Sequence, residues 1–190
     1  AWTTQIDESV YREKLRQYGK TDKSLSLYIH IPFCQSMCSY CACSVVIRPT
    51  NTEHGDQYID YLIKEIDLVT QEIGRQMTVK QLHWGGGTPT FLNQQQIQRL
   101  FRYIQAKFHL EMTGEIAIEI DPRTTNNDTL CFLKELGFNR VSLGVQDFSP
   151  TVQRQINRLQ PLQLVQETYA YCRQLKFDSI NFDLIYGLPS

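Results

Sequence analysis

Strand-length apolar runs alternate with helix-period apolar stripes along most of this 190-residue chain. Residues 25–31 (LSLYIHI) form the first such run. In 56–73, Ile59, Leu62, Ile63, Ile66, Val69 and Ile73 fall on one helical face, and Gly74 stands where the helix should stop. Strand-like runs recur at 79–84, at 115–120 (EIAIEI, alternating), at 140–145 and at 179–185. Helical stripes lie between them. The first is Ile97, Leu100, Phe101, Ile104 and Phe108. The second is Leu130, Leu133 and Leu136, closed by Gly137. The third is Val165, Tyr169 and Cys172. Ahead of all of these, 7–18 predicts a short helix capped by Asp7, with Tyr11, Leu15 and Tyr18 on one face.

A strand–helix unit repeated in this way argues for an α/β fold, a parallel sheet with helices packed outside it. One domain is expected over 25–190, after a helical lead-in at 1–24. The sequence stops at YGLPS with no helix to cover the last strand, so a truncated fragment of a larger fold is expected.

Composition adds little and excludes much. The chain is 42% hydrophobic and 21% charged, with a net charge of -1. It has no block of like charge, so neither a nucleic-acid nor a membrane-surface partner is expected. No apolar run approaches the roughly 20 residues of a membrane span. A cytoplasmic monomer is the expectation.

The cysteines change the picture. Four of the six lie within CQSMCSYCAC, 34–43. Such clustering fits a metal or redox site in a reducing compartment better than a disulfide scaffold. Cys131 and Cys172 stand alone in helical stripes and are expected to be small buried apolar residues.

In a parallel α/β fold the loops after the strands open on one face. The cysteines follow the first strand, and Gly85, Gly86 and Gly87 follow the second. Glu119 and Asp121 flank the end of the third, Gln146 and Asp147 end the fourth, and Asp183 lies near the end of the fifth. One such residue is commonly a cap or a solvated turn. Five in register suggest a single mouth.

Cys34, Cys38 and Cys41, spaced C-x3-C-x2-C, can converge on one inorganic centre. Structural zinc usually takes two separated pairs, to reach four ligands. An iron–sulfur cluster suits three clustered thiolates better. With three ligands for four irons, one iron stays open to a small molecule carrying an amine and a carboxylate. S-adenosylmethionine is such a molecule.

These motifs resemble the radical S-adenosylmethionine superfamily: the cysteine triplet after a first strand, with an aromatic, Tyr40, before the third cysteine. Further motifs are LYIHIPFC (27–34), Cys43, LHWGGGTPT (82–90), IEIDPR (118–123), GVQDF (144–148), INR (156–158) and NFDLIYGLP (181–189). In that order they resemble the oxygen-independent coproporphyrinogen III oxidase family within it. Ala42 and Ser44 depart from the family's usual Gly and Asn, and Tyr40 from its usual Phe.

The resemblance implies a partial (β/α) barrel. The whole protein would be more than twice this length, with the last strand and a C-terminal domain outside the sequence in hand. It implies a [4Fe-4S] cluster on Cys34, Cys38 and Cys41, with Cys43 not a ligand, and up to two S-adenosylmethionine molecules. Tyr28, Gly86 and Glu119 match contacts to the first. Tyr40, Gly87, Thr88, Gln146, Arg158 and Asp183 match contacts to the second, with Arg158 suited to fork onto a carboxylate.

Tyr28 and His30 are the catalytic candidates. They are expected on alternate faces of their strand, Tyr28 toward the site. The implied substrate is coproporphyrinogen III, two of whose propionates become vinyl groups, with an electron donor of unknown identity. Arg48 and Arg123 are candidates for its carboxylates. The alternative is a haem-binding chaperone of the same family. Cys43, LHW and INR favour the oxidase. A haem-degrading radical methyltransferase and a zinc-stabilised module are more distant alternatives.

Overall fold

The computed structural model describes residues 7–49 and 53–189. The first six residues of the expected lead-in lie outside that range. Helix α1 is Glu8–Gly19, and the Asp7 carboxylate caps it by accepting from the Val10 amide at 3.0 Å. Strands β1 (Leu25–Ile31), β2 (Phe33–Cys34) and β3 (Val46–Ile47) follow, then α2 (Glu53–Ile73) and β4 (Thr78–Gly86). A 3-10 turn at Pro89–Phe91 leads into α3 (Gln94–Lys107) and β5 (His109–Ile120). The remaining elements are α4 (Asn127–Leu136), β6 (Arg140–Gln146), α5 (Pro150–Gln155), α6 (Leu162–Gln174) and β7 (Ser179–Leu184).

The main sheet has five strands in the order β1-β4-β5-β6-β7, and every pairing is parallel. Strand order follows chain order without the reversal of a doubly wound sheet. With right-handed crossovers, such an order puts all the helices on one side, as in a (β/α) barrel.

The two faces of the sheet differ accordingly. Leu82, Trp84, Ile116, Ile118, Val141 and Leu143 are fully buried in one apolar core with Ile59 of α2, Leu100 and Ile104 of α3 and Leu133 of α4. The other face carries a row in register: Tyr28, His83, Ala117 and Arg140. Beside it lie the register pair His30 and Gly85 and the register row Glu119, Ser142 and Asn181, joined where the Glu119 carboxylate lies against Gly85. Ile29↔Trp84 and Tyr28↔His83 are adjacent register pairs with opposite burial, which is the period-2 rule of a strand at work. A mostly polar inner face is what a ligand-holding barrel presents.

Several sequence expectations are corrected here. Tyr28 and His30 share a face, as residues two apart on a strand must, and the Tyr28 hydroxyl lies 3.2 Å from His30 Nδ1. Tyr11 is exposed, while Leu15 and Tyr18 pack partly on the core. Tyr169 is also exposed and lies against Phe182. Cys172 is buried as expected, whereas Cys131 is only partly buried, with its thiol 3.6 Å from Glu135 Oε1. Strand β5 starts at His109 and not near 115, and α5 had no counterpart in the apolar pattern.

Candidate active site

The loop after β1 is built for rigidity before chemistry. Short β2 and β3 pair in parallel across the cysteine loop, Phe33 with Val46 and Cys34 with Ile47. The Arg48 amide donates to the Cys34 carbonyl at 2.8 Å and the Val46 amide to the Pro32 carbonyl at 2.7 Å. The amides of Gly87 and Thr88 donate to the Ile31 and Phe33 carbonyls, both at 2.8 Å. A Cβ at Gly87 would sit 2.7 Å from the Phe33 carbonyl oxygen. Only glycine lets the β4 turn lie this close to the cysteine loop.

The INR segment supplies a second clamp. The Ser39 amide donates to the Ile156 carbonyl at 3.0 Å, and the Asn157 side-chain amide donates to the Met37 carbonyl at 2.8 Å. Asn157 takes a positive φ of 54° to make this possible. Sequence reasoning found the motif and not this role, since a contact between residues 120 positions apart leaves no local pattern.

The strand ends enclose a cavity of about 550 Å³, within the usual range for ligand sites. Cys34, Cys38, Cys41 and Tyr40 line it from the cysteine loop, and Gly86, Gly87 and Thr88 from β4. Glu119 and Asp121 come from β5, Gln146 from β6, Arg158 from the segment after α5, and Asp183 from β7. These twelve residues, all singled out in the sequence, therefore share one cavity wall. Tyr28 and His30 do not line it. They stand beside it on β1, where His30 Nε2 lies 3.0 Å from the Ser44 carbonyl oxygen. Asp147 is a turn residue whose carboxylate accepts from the Ser149 amide at 2.6 Å.

Beneath the thiols lies a buried ion network that the sequence did not suggest. The Asp121 carboxylate receives Arg123 at 2.7 Å and Arg158 at 3.0 Å. Arg158 also reaches Cys38 Sγ at 3.7 Å and the Gly144 carbonyl at 2.6 Å. Burial opposes the charge on Asp121, but the two guanidinium groups outweigh it and hold its carboxyl below the usual range. Arg158 is thus largely engaged by the protein, and Arg123 is held by Asp121. The Arg48 side chain bonds its neighbour's carbonyl, that of Ile47.

Burial raises the Cys34 thiol, with the Cys41 and Cys38 thiols adding to the effect against a lowering contact from Thr88 Oγ1 at 3.6 Å. Cys43 is raised by burial and then by Cys41. Crowded, part-buried thiols ionise readily only around a cationic centre. Among the described residues, no three His, Cys, Asp or Glu side chains are grouped around a point where one metal ion would sit. A four-iron cluster asks for a wider triangle, one thiolate to each of three irons, so the donor set fits the cluster better than a lone zinc ion. Burial raises the Tyr40 hydroxyl, keeping it protonated at the cavity wall. Asp183 is raised, by burial first and by Glu119 next.

A sequentially ordered parallel sheet with three cysteines after its first strand defines a class, and the chain belongs to the radical SAM superfamily, whose profile matches residues 28–190. Among curated proteins it is 45% identical over 177 residues to the oxygen-independent coproporphyrinogen III oxidase of Pseudomonas aeruginosa. The match covers 92% of this chain and 38% of that protein. It is 44% identical to the protein of the same name from Escherichia coli, over 96% of this chain and 39% of that one. The chain therefore spans under two fifths of the length of these relatives. Among solved structures it superposes on coproporphyrinogen III oxidase from Escherichia coli, described as a radical SAM enzyme. The TM-score is 0.88 at 42% identity, covering 97% of this chain and 42% of that one. Among the described residues no helix is long and apolar enough to cross a membrane.

Proposed function

We propose that this chain is the cluster- and cofactor-holding portion of an oxygen-independent coproporphyrinogen III oxidase. The observation that carries the proposal is the gathering of Cys34, Cys38 and Cys41 with Gly86, Gly87, Thr88, Glu119, Gln146 and Asp183 round one cavity. The kinship with proteins of that name supports it. The same kinship favours the oxidase over a haem-binding chaperone.

Cys34, Cys38 and Cys41 would hold a [4Fe-4S] cluster. Such a cluster, when bound and reduced, would supply reductive cleavage of S-adenosylmethionine and so the means of taking a hydrogen atom from substrate. For each propionate, one C–H bond at the β-carbon and the bond to the carboxylate break, and a vinyl group and CO2 form. One electron would enter at cofactor cleavage and one would pass from the substrate to an external electron acceptor as CO2 leaves, so each propionate would consume one S-adenosylmethionine. Two propionates then call for two cofactor molecules.

The chain's own part is binding and orientation. Glu119 is placed to accept ribose hydroxyls, with Tyr28 and Gly86 beside it toward the first molecule. Tyr40, Gly87, Thr88, Gln146 and Asp183 form the wall toward the second. Arg158 belongs to that wall as well, though its guanidinium is already drawn toward Asp121 and Gly144. His30 braces Tyr28 and the cysteine loop. Residues 25–190 would form the barrel portion and 1–24 its lead-in. The protein would act as a cytoplasmic monomer fed by an external electron donor, in keeping with its ordinary composition and small net charge.

The test uses coproporphyrinogen III deuterated at the propionate β-carbons, offered anaerobically to the iron- and sulfide-reconstituted protein with S-adenosylmethionine and reductant. One deuterium in each 5′-deoxyadenosine, with loss of two carboxyl groups from the porphyrinogen, is the expected result. Formation of unlabelled 5′-deoxyadenosine with the porphyrinogen intact would overturn the substrate assignment.

A further inference from the structure

We infer that His83 is a positioning residue for Glu119, holding that carboxylate in the orientation that accepts a ribose diol. The inference rests on the cofactor reading above and extends it to a residue that has no role in that reading.

The geometry is specific. His83 Nε2 lies 3.0 Å from Glu119 Oε1, and the Gly86 amide donates to Glu119 Oε2 at 3.2 Å. Each carboxylate oxygen is thus held by one partner, from two points on the neighbouring strand β4. A carboxylate oxygen has two lone-pair directions, so one on each oxygen stays available to the cavity that Glu119 lines. Two acceptors set side by side match two vicinal hydroxyls.

The strand around this pair is shaped to permit it. A Cβ on Gly85 would come within 2.7 Å of Glu119 Oε1, so only glycine allows the carboxylate to lie across β4. Gly86 takes φ +117° to aim its amide at the carboxylate.

His83 is itself held. The Tyr28 ring stacks on it at 5.8 Å and 14°, from the register partner on β1. The Tyr28 hydroxyl meets His30, and His30 meets the Ser44 carbonyl in the cysteine loop. A continuous line of contacts therefore joins the cysteine loop to Glu119 through Ser44, His30, Tyr28 and His83. A hydrogen bond to a charged group commonly matters by about an order of magnitude or more.

The test is a binding titration of cluster-reconstituted protein with S-adenosylmethionine and with its 2′-deoxyribose analogue. The variants are H83A, H83Q and E119Q, each checked for unchanged cluster absorbance. H83A should weaken S-adenosylmethionine about tenfold, as loss of a hydrogen bond to a charged group does. H83Q, which keeps a donor near the Nε2 position, should stay within about threefold of the parent, because one neutral hydrogen bond is retained. The analogue, which leaves one of the two acceptors without a hydroxyl, should lose less from H83A than S-adenosylmethionine does, because coupled groups are not additive. Equal losses for both ligands, or none, would overturn the inference. If E119Q weakens binding while H83A does not, the cofactor reading stands and the role of His83 falls. If E119Q also changes nothing, both fall.

Discussion

Alanine at Cys34, Cys38 or Cys41 is expected to leave the reconstituted protein without bound iron–sulfide cluster, while alanine at Cys43 leaves the cluster in place. The three thiols line the cavity from a loop pinned at its ends by the β2–β3 pair and in its middle by the INR clamp. A pinned loop cannot swing a replacement ligand into position. Cys43 also lines the cavity, but it is exposed and lies against Cys41, beside a ligand position already filled. Each single loss should therefore be complete in iron content and in visible absorbance. Full cluster in any one of the three variants would remove that cysteine from the ligand set. The apolar core lies on the opposite face of the sheet, so the metal-free variants should still fold.

Asp121→Ala is expected to cost the fold a large share of its stability. It would leave Arg158 buried with its charge unpaired and free Arg123 from its carboxylate. Breaking a buried pair from one side costs about 3–5 kcal/mol. The same carboxylate predicts a pH dependence. Its folded pKa lies below the ordinary value of 3.8, so its stabilisation is in place above that value. It is lost as pH falls toward the lower folded pKa. Urea unfolding of the cluster-free protein should show the parent weakening below about pH 4 and the variant lacking that component. A loss under about 1 kcal/mol at neutral pH would mean that the network relaxes without its centre.

Much of this architecture is local and so was open to reading along the chain. The stripes of α2 and α3 and the alternation of EIAIEI reflect burial on one face of one element. Gly74 and Gly137 end their helices with φ of 77° and 115°, as their positions suggested. The cysteine triplet and the three glycines also carry their signal within a few residues.

What stayed hidden depends on other strands. The grips of Asn157 on Met37 and of Arg158 on Asp121 are contacts between distant segments, whereas Arg123 meets Asp121 from only two residues away, within the DPR run itself. The start of β5 was hidden because a register shift between Val79 and Gln81 interrupts its pairing with β4, near Gly114. His83 lay within a recognised motif, yet its role needs both Tyr28 on one neighbouring strand and Glu119 on the other. The sharing of a face by Tyr28 and His30 was legible and was misjudged, since their spacing of two fixes it.

The central claim is that this cavity holds a reducible cluster and S-adenosylmethionine together, and reductive cleavage of the cofactor tests it most directly. The reconstituted protein is mixed anaerobically with S-adenosylmethionine and a low-potential reductant, and 5′-deoxyadenosine and methionine are quantified. Equal amounts of the two, formed by the parent and absent in Cys38→Ala, are the predicted result. A protein that carries its full cluster, accepts the electron and binds S-adenosylmethionine, yet releases no 5′-deoxyadenosine, would contradict it.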